Sequence, residues 1–236
     1  MKSVHRCWAI IPAAGIGSRI GSDVPKQYLK INGKAILEYA IEIFLRHHLI
    51  DGVVIVLAEN DKAWKDLQIN DTENLMTTIG GVERFHSVLN GLLVLEDKLN
   101  QDDWVLVHDA ARPCLETSDL DNLINTISTH PTGGILAMSV RDTMKRSDAD
   151  NHICETVDRD GLWHALTPQM FRYKKLRQAI ESAIEKNIAI TDEAQAIEHS
   201  GERPMLVEGS ARNIKITRPE DLALASFYLS QMESTK

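Results

Sequence analysis

Apolar and polar positions along the chain follow two rhythms that take turns. Short apolar runs read as strands: WAIIPA (8–13) and GVVIVLA (52–58) as buried ones, then LMTTIGG (75–81), WVLVHDAARP (104–113, polar at its end) and GGILAMSV (133–140). Runs rich in β-branched residues and apolar on both faces are what a parallel sheet covered by helices requires. Between them, apolar residues recur three and four apart. Ile36, Leu37, Tyr39, Ala40, Ile43 and Phe44 form one such stripe, Val82, Phe85, Val88, Leu89, Leu92 and Leu93 a second, and Leu120, Leu123, Ile124 and Ile127 a third. Thr117 and Ser118 stand ready to cap the third. A weaker helix is predicted around Trp64–Leu67, and further helices around 173–186 and 192–199. PMLVEG and NIKIT read as strands. Thr217 and Glu220 make a capping box, with Pro219 in the first turn, before a final amphipathic helix.

The alternation breaks once. RDTMKRSDADNHICETVDRDGL, from Arg141 to Leu162, is polar with turn residues in its middle and some strand character at Thr143, Met144, Ile153 and Val157. It reads as a hairpin standing off the main sheet. Alternating strands and helices otherwise argue a mostly parallel sheet with helices on both faces. Ligands in such folds sit at the carboxyl ends of strands. Polar residues cluster there: the loop after the first strand, GGVER at 80–84, and HDAARP after the strand at 104–108.

The 236 residues suffice for one α/β domain with embellishments, or for two small ones. Lys and Arg number 26 against 34 Asp and Glu, a formal charge of −8, so general nucleic-acid binding is a poor expectation. An anionic substrate would need a local cluster of cations. Cys7, Cys114 and Cys154 form no C-x-x-C pair and read as reduced thiols of a cytoplasmic protein. The basic start and apolar run of MKSVHRCWAIIPAAG are too short for a signal peptide, and no run is long enough to span a membrane.

Candidate chemistry begins in WAIIPAAGIGSRIGSDVPKQYL. No Gly-Lys-Ser/Thr follows Gly15 or Gly17, so the loop is not a P-loop. Gly15 and Gly17 fit the first two positions of the dinucleotide fingerprint, but Ile20 holds the third and Gly21 comes one residue late. A loop that wraps a triphosphate and adds its own cations fits Arg19 and Lys26. A plain strand-to-helix turn is the other reading. Asp109, at the end of an apolar strand, suits a Mg²⁺ ligand facing phosphates, or a turn aspartate. Arg112, Arg159 and Lys215 are further cations, each a site group or a solvated charge. His108, His164 and the His47–His48 pair lack metal-ligand spacing. Neither Ser18 nor Ser87 sits in a nucleophile elbow.

Taken in order, PAAGIGSRIGSDVPKQYL, GGVERFHSV, VHDAARPC, VRDTMKR, TVDRDGLWHALTPQ, TDEA and NIKITRPEDLALA resemble the 2-C-methyl-D-erythritol 4-phosphate cytidylyltransferases over nearly the whole chain. The resemblance implies a single three-layer, Rossmann-like nucleotidyltransferase domain over 1–236, with 140–162 as an arm that crosses to a second subunit of a homodimer. It implies transfer of the cytidylyl group of CTP to methylerythritol phosphate, with Mg²⁺, in the non-mevalonate isoprenoid pathway. Ala13, Ala14, Gly15, Arg19 and Lys26 match the loop around CTP, and Arg19 and Lys26 would stabilise charge on the α-phosphate and the leaving pyrophosphate. Gly81 and Ser87 match positions at the cytosine, Asp109 the Mg²⁺ ligand, and Lys215 a lysine at the phosphates. Arg112, Thr143 and Arg159 match positions that hold the acceptor phosphate. One departure is Val82, where the family often has an acid. That puts a side-chain contact to the base in question and leaves a backbone contact open.

Three rivals remain. A ribitol 5-phosphate cytidylyltransferase would share the fold and the CTP loop. An NAD-dependent oxidoreductase is opposed by the misplaced third glycine and by Glu38, which sits in a helical stretch rather than at a strand end. A nucleotide-binding scaffold without turnover is weakened by the cations and the metal carboxylate together.

Overall fold

The computed structural model describes residues 5–15, 24–69 and 73–234. In chain order the strands are β1 (Cys7–Pro12), β2 (Lys30–Ile31), β3 (Lys34–Ala35), β4 (Gly52–Leu57), β5 (Leu75–Ile79), β6 (Trp104–Val107), β7 (Gly133–Ser139), β8 (Met144–Ser147), β9 (Ile153–Val157), β10 (Trp163–Arg172) and β11 (Met205–Glu208). The helices are α1 (Ile36–Leu45), α2 (Arg84–Val94), α3 (Thr117–Ile127), α4 (Tyr173–Glu185), α5 (Glu193–His199) and α6 (Glu220–Ser234).

Successive side chains of a strand point to opposite faces, so a strand apolar at every position must be covered twice. Along β1, Cys7, Ala9 and Ile11 join one cluster with Leu37, Ile41 and Phe44 of α1 and Leu120, Leu123 and Ile127 of α3. Trp8 and Ile10 join a second cluster with Val88 and Leu92 of α2, Leu176 and Ile180 of α4, and Ile197 of α5. The result is three layers. A third, smaller cluster seats α6 through Ala225 and Leu229 against Ile31, Ile36, Cys114 and Ile216.

Seven strands form one sheet in the order β11-β7-β10-β6-β1-β4-β5. The pairs β1/β4, β1/β6, β4/β5 and β7/β11 are parallel, whereas β10 runs antiparallel to both β6 and β7. One reversed strand therefore lies inside an otherwise parallel sheet. The sequence pattern does not reveal β10, for physical reasons. Its first three residues are exposed and its last are buried on both faces, so no single period runs through it. Pro168, which cannot donate to a ladder, argues against a central strand. It is accommodated where the pairing with β7 shifts register between Ala165 and Gln169.

The stretch at 141–162 is the expected hairpin. β8 and β9 pair antiparallel from Met144↔Val157 to Ser147↔Ile153 as a two-stranded sheet of their own. Val140 N–H donates to Leu162 O across its base at 3.0 Å. A second hairpin, β2–β3, turns at Asn32 and Gly33, both at positive φ, as a two-residue Asn-Gly turn requires.

Four local expectations are corrected. Trp64–Leu67 is a single tight 3₁₀ turn over Ala63–Asp66. The N-cap of α3 is the extended Glu116, so Thr117 and Ser118 lie inside the first turn and cap nothing. NIKIT is not a strand. Its backbone is tied instead to the loop after β6, with Ile216 N–H donating to Ala111 O at 2.9 Å. Before α6 the reciprocal partner of Thr217 is Asp221 rather than Glu220. The Asp221 carboxylate accepts from Thr217 N–H and Arg218 N–H, each at 2.8 Å, and from the Thr217 hydroxyl at 3.1 Å.

Candidate active site

At the carboxyl ends of β1, β5 and β6 the chain opens a cleft whose walls include Ala13, Ala14, Gly15, Lys26, Gly81, Ser87, Asp109 and Lys215. Each wall has its own local support. The β1 loop is pinned by Gln27, whose buried side-chain amide donates to Ala13 O at 2.7 Å and to Gly15 O at 3.2 Å. Lys26 opens the short 3₁₀ turn that carries Gln27 (Lys26–Tyr28). Arg19 lies outside the described residues, as do Gly17 and Ser18.

The opposite wall is the turn from β5 into α2. A Cβ on Gly80 would stand 2.4 Å from the Ala14 Cβ and 2.8 Å from the Ser87 Oγ, so only glycine lets the two walls approach. Gly81 N–H donates to the Ser87 Oγ at 3.1 Å, and that hydroxyl donates to Glu83 O at 3.4 Å. Ser87 therefore fixes the shape of the glycine turn. Val82 is 93% exposed at the tip.

The floor is built on Asp109, whose carboxylate stands among three cations. Lys215 Nζ is 2.9 Å from one oxygen, Arg112 Nε 3.5 Å from the same oxygen, and Arg84 3.2 Å from the other. Burial alone would push this acid up. The guanidinium of Arg84, the ammonium of Lys215 and the guanidinium of Arg112 outweigh it and hold Asp109 well below the usual carboxylate range. Arg84 is shared. It also grips the buried Glu193 at the start of α5, at 2.5 Å and 3.2 Å.

Beneath Asp109 a polar relay fixes the backbone. Asp109 N–H donates to the Thr167 hydroxyl at 3.1 Å, and that hydroxyl donates to His108 Nδ1 at 3.0 Å. The remaining ring nitrogen, Nε2–H, donates to Arg112 O at 3.0 Å. Arg112 O can only accept, so it requires a proton on Nε2, and burial disfavours a second proton on Nδ1. Burial pushes His108 down to about 4. Asn213 completes the floor: its side-chain amide donates to Thr167 O at 2.7 Å, and its backbone carbonyl accepts from Arg112 at 2.6 Å.

Eight of the residues given a site role from the sequence thus share one cleft, and Val82 lines it with them. Lys215 is not a solvated strand charge but a partner of Asp109. Arg112 is buried behind Asp109, tied to the 213–217 segment. Thr143 and Arg159 are exposed on the hairpin stretch and are not among the cleft-lining residues. Arg159 donates to Arg141 O there. Sequence reasoning missed Gln27, Thr167, Asn213 and the Arg84–Glu193 pair. GGVER and TDEA carry Arg84 and Glu193, but nothing in their spacing tells that the fold joins them.

For a metal, the carboxylates lining the cleft are Glu83, in the turn before α2, and Asp109 on the floor; Asp109, held ionised by its cations, is a hard oxygen donor of the kind that holds Mg²⁺ jointly with phosphates. Among the described residues, His47, His48 and Asp121 also bring ligand atoms within 4.8 Å of one another, outside this cleft. Both ring nitrogens of His47 are already engaged, Nδ1 accepting from Leu49 N–H and Nε2 donating to Asp121 at 3.1 Å. The satisfied histidine expected from the sequence is what stands there.

The family model for 2-C-methyl-D-erythritol 4-phosphate cytidylyltransferase matches residues 7–231. The protein of that name from Vibrio parahaemolyticus is 54% identical over 223 residues, which cover 94% of this chain and 95% of the relative. That from Actinobacillus pleuropneumoniae is 53% identical over 223 residues, 94% and 96% of the two chains. The crystal structure of the Francisella tularensis protein of the same name superposes with a TM-score of 0.82 at 38% identity, covering 94% of this chain and 99% of that one.

Proposed function

This chain belongs to the 2-C-methyl-D-erythritol 4-phosphate cytidylyltransferase family, and from that premise we propose how its cleft does the chemistry. The enzyme joins CTP to 2-C-methyl-D-erythritol 4-phosphate in isoprenoid precursor synthesis, giving CDP-methylerythritol and pyrophosphate. The observation that carries the site assignment is the convergence of the glycine loop, Lys26, Lys215 and Asp109 on one cleft.

A phosphate oxygen of the acceptor attacks the α-phosphorus of CTP in line. The bond from that phosphorus to its bridging oxygen breaks, and pyrophosphate departs with the electron pair. The attacking oxygen is already anionic at neutral pH, so no general base is needed. The barrier lies in bringing two anions together and in charge on the leaving group, so positioning and electrostatics carry the rate. Ala13, Ala14, Gly15, Gly81 and Ser87 hold the nucleotide. Lys26 and Lys215, with Arg19, stabilise the phosphates. Asp109 would hold Mg²⁺, which would supply positive charge at the phosphates.

Arg112, Thr143 and Arg159 bind the acceptor phosphate. We assign the 140–162 arm to a homodimer, which would bring the exposed Thr143 and Arg159 to a partner's cleft. The exposed Ile153 on β9 supports that reading, being a large apolar side chain left open on the arm. No described helix is long and apolar enough to cross a membrane. The three free cysteines fit a cytoplasmic setting.

Purified protein with CTP, the acceptor and Mg²⁺ should release pyrophosphate, and excess EDTA should abolish release. Undiminished release in EDTA would refute the role given to Asp109. Sedimentation should show a dimer, and deletion of the hairpin tip at 148–152 should weaken it.

A further inference from the structure

Glu193 is a carboxylate that the reaction does not use, yet it is buried at the cleft floor. Its side chain is 1% exposed. Burying an ion pair costs desolvation and is seldom a net gain in stability over an apolar pair, so this one calls for another explanation. The surroundings hold Glu193 in place through the residues on either side of it. Asp192 caps α5 by accepting from Gln195 N–H at 2.9 Å. Gln169, on β10, donates to the other Asp192 oxygen and accepts from Ala194 N–H, both at 2.9 Å. The strand that neighbours β6 thereby sets where Glu193 stands.

From this fixed position Glu193 divides the charge of Arg84. Its two oxygens take both terminal nitrogens of the guanidinium, at 2.5 Å and 3.2 Å, whereas Asp109 receives only one of those nitrogens, at 3.2 Å. Arg84, Arg112 and Lys215 would otherwise set three positive charges against the single Asp109. A second carboxylate brings the cluster back toward balance.

Resting on the functional reading above, we propose that Arg84 and Glu193 are a positioning pair for Asp109. Glu193 draws Arg84 away, so that Asp109 is oriented by the guanidinium but left able to exchange its cation partners for Mg²⁺ when the nucleotide enters. Supporting groups of this kind govern metal affinity without touching the metal.

The test is CTP binding by titration calorimetry across a Mg²⁺ series, a readout that needs no turnover. Glu193→Gln keeps the shape and removes the charge. It should raise the half-saturating Mg²⁺ by about tenfold or more, with little change in CTP binding when EDTA is present. Arg84→Met combined with Glu193→Gln removes a cation and an anion together, leaves no lone buried charge, and should bring the Mg²⁺ dependence back toward the parent. Should Glu193→Gln fail to fold, Glu193→Asp, with a shorter reach, should show a smaller shift in the same direction. A folded Glu193→Gln protein with the parent's Mg²⁺ dependence overturns the proposal, as does a double variant no better than the single. Failure of the parent protein to transfer the cytidylyl group would instead strike the functional reading, and the two failures are read in separate experiments.

Discussion

Lys215 Nζ sits 2.9 Å from Oδ2 of Asp109, tying the segment before α6 to the end of β6. That contact turns an alternation that looks like a strand into the floor of a cleft. NIKIT has the apolar–charged–apolar pattern of a surface strand, with Lys215 as its solvent face. In the fold, Ile216 goes into the small core beneath α6, and the lysine points the other way, to a carboxylate at the active site.

Replacing Lys215 or Lys26 by Ala should lower kcat on the order of a hundredfold, the usual cost of losing one group that stabilises transition-state charge. Circular dichroism should be unchanged, because both side chains lie on the cleft wall and not in the core. A folded Lys26→Ala enzyme with full kcat would sink its assignment.

Gly80→Ala should weaken CTP binding strongly. The new methyl would meet the Ala14 Cβ at 2.4 Å and the Ser87 hydroxyl at 2.8 Å, forcing the two nucleotide walls apart. Calorimetric titration checks this. CTP affinity equal to the parent would mean that the walls separate without consequence.

His108 gives the fold a pH dependence of known sign. Burial lowers its pKa from 6.5 to about 4. Between those values the unfolded chain takes up a proton that the native imidazole refuses, so stability falls as pH drops through the window and is fully present above it. The span corresponds to roughly 3 kcal/mol as an upper figure. Urea unfolding at pH 7 and at pH 4.5 should show the loss, and His108→Gln, although less stable at pH 7, should show a shallower slope. Equal slopes would place the titration elsewhere.

Much of the fold is legible in the sequence because its strands announce themselves. β1, β4 and β6 are apolar at nearly every position, and that doubled burial is what a three-layer sheet requires. α1, α2 and α3 show their buried stripes equally clearly. β10 stays hidden because it changes environment halfway, from an exposed start at Trp163 to burial on both faces at Phe171, and carries Pro168 between. The site divides in the same way. Asp109 and the loop cations stand at strand ends, where position itself signals a ligand. Arg84 and Glu193 belong to separate helices. Their pairing depends on where β10 sets Gln169 and hence α5, and no local pattern encodes that.

The most direct measurement is pyrophosphate release with CTP and Mg²⁺, comparing 2-C-methyl-D-erythritol 4-phosphate with ribitol 5-phosphate as acceptor. Release with methylerythritol phosphate and not with ribitol phosphate is the predicted result. Preference for ribitol phosphate would keep the fold and the nucleotide cleft but contradict the acceptor assignment of Arg112, Thr143 and Arg159.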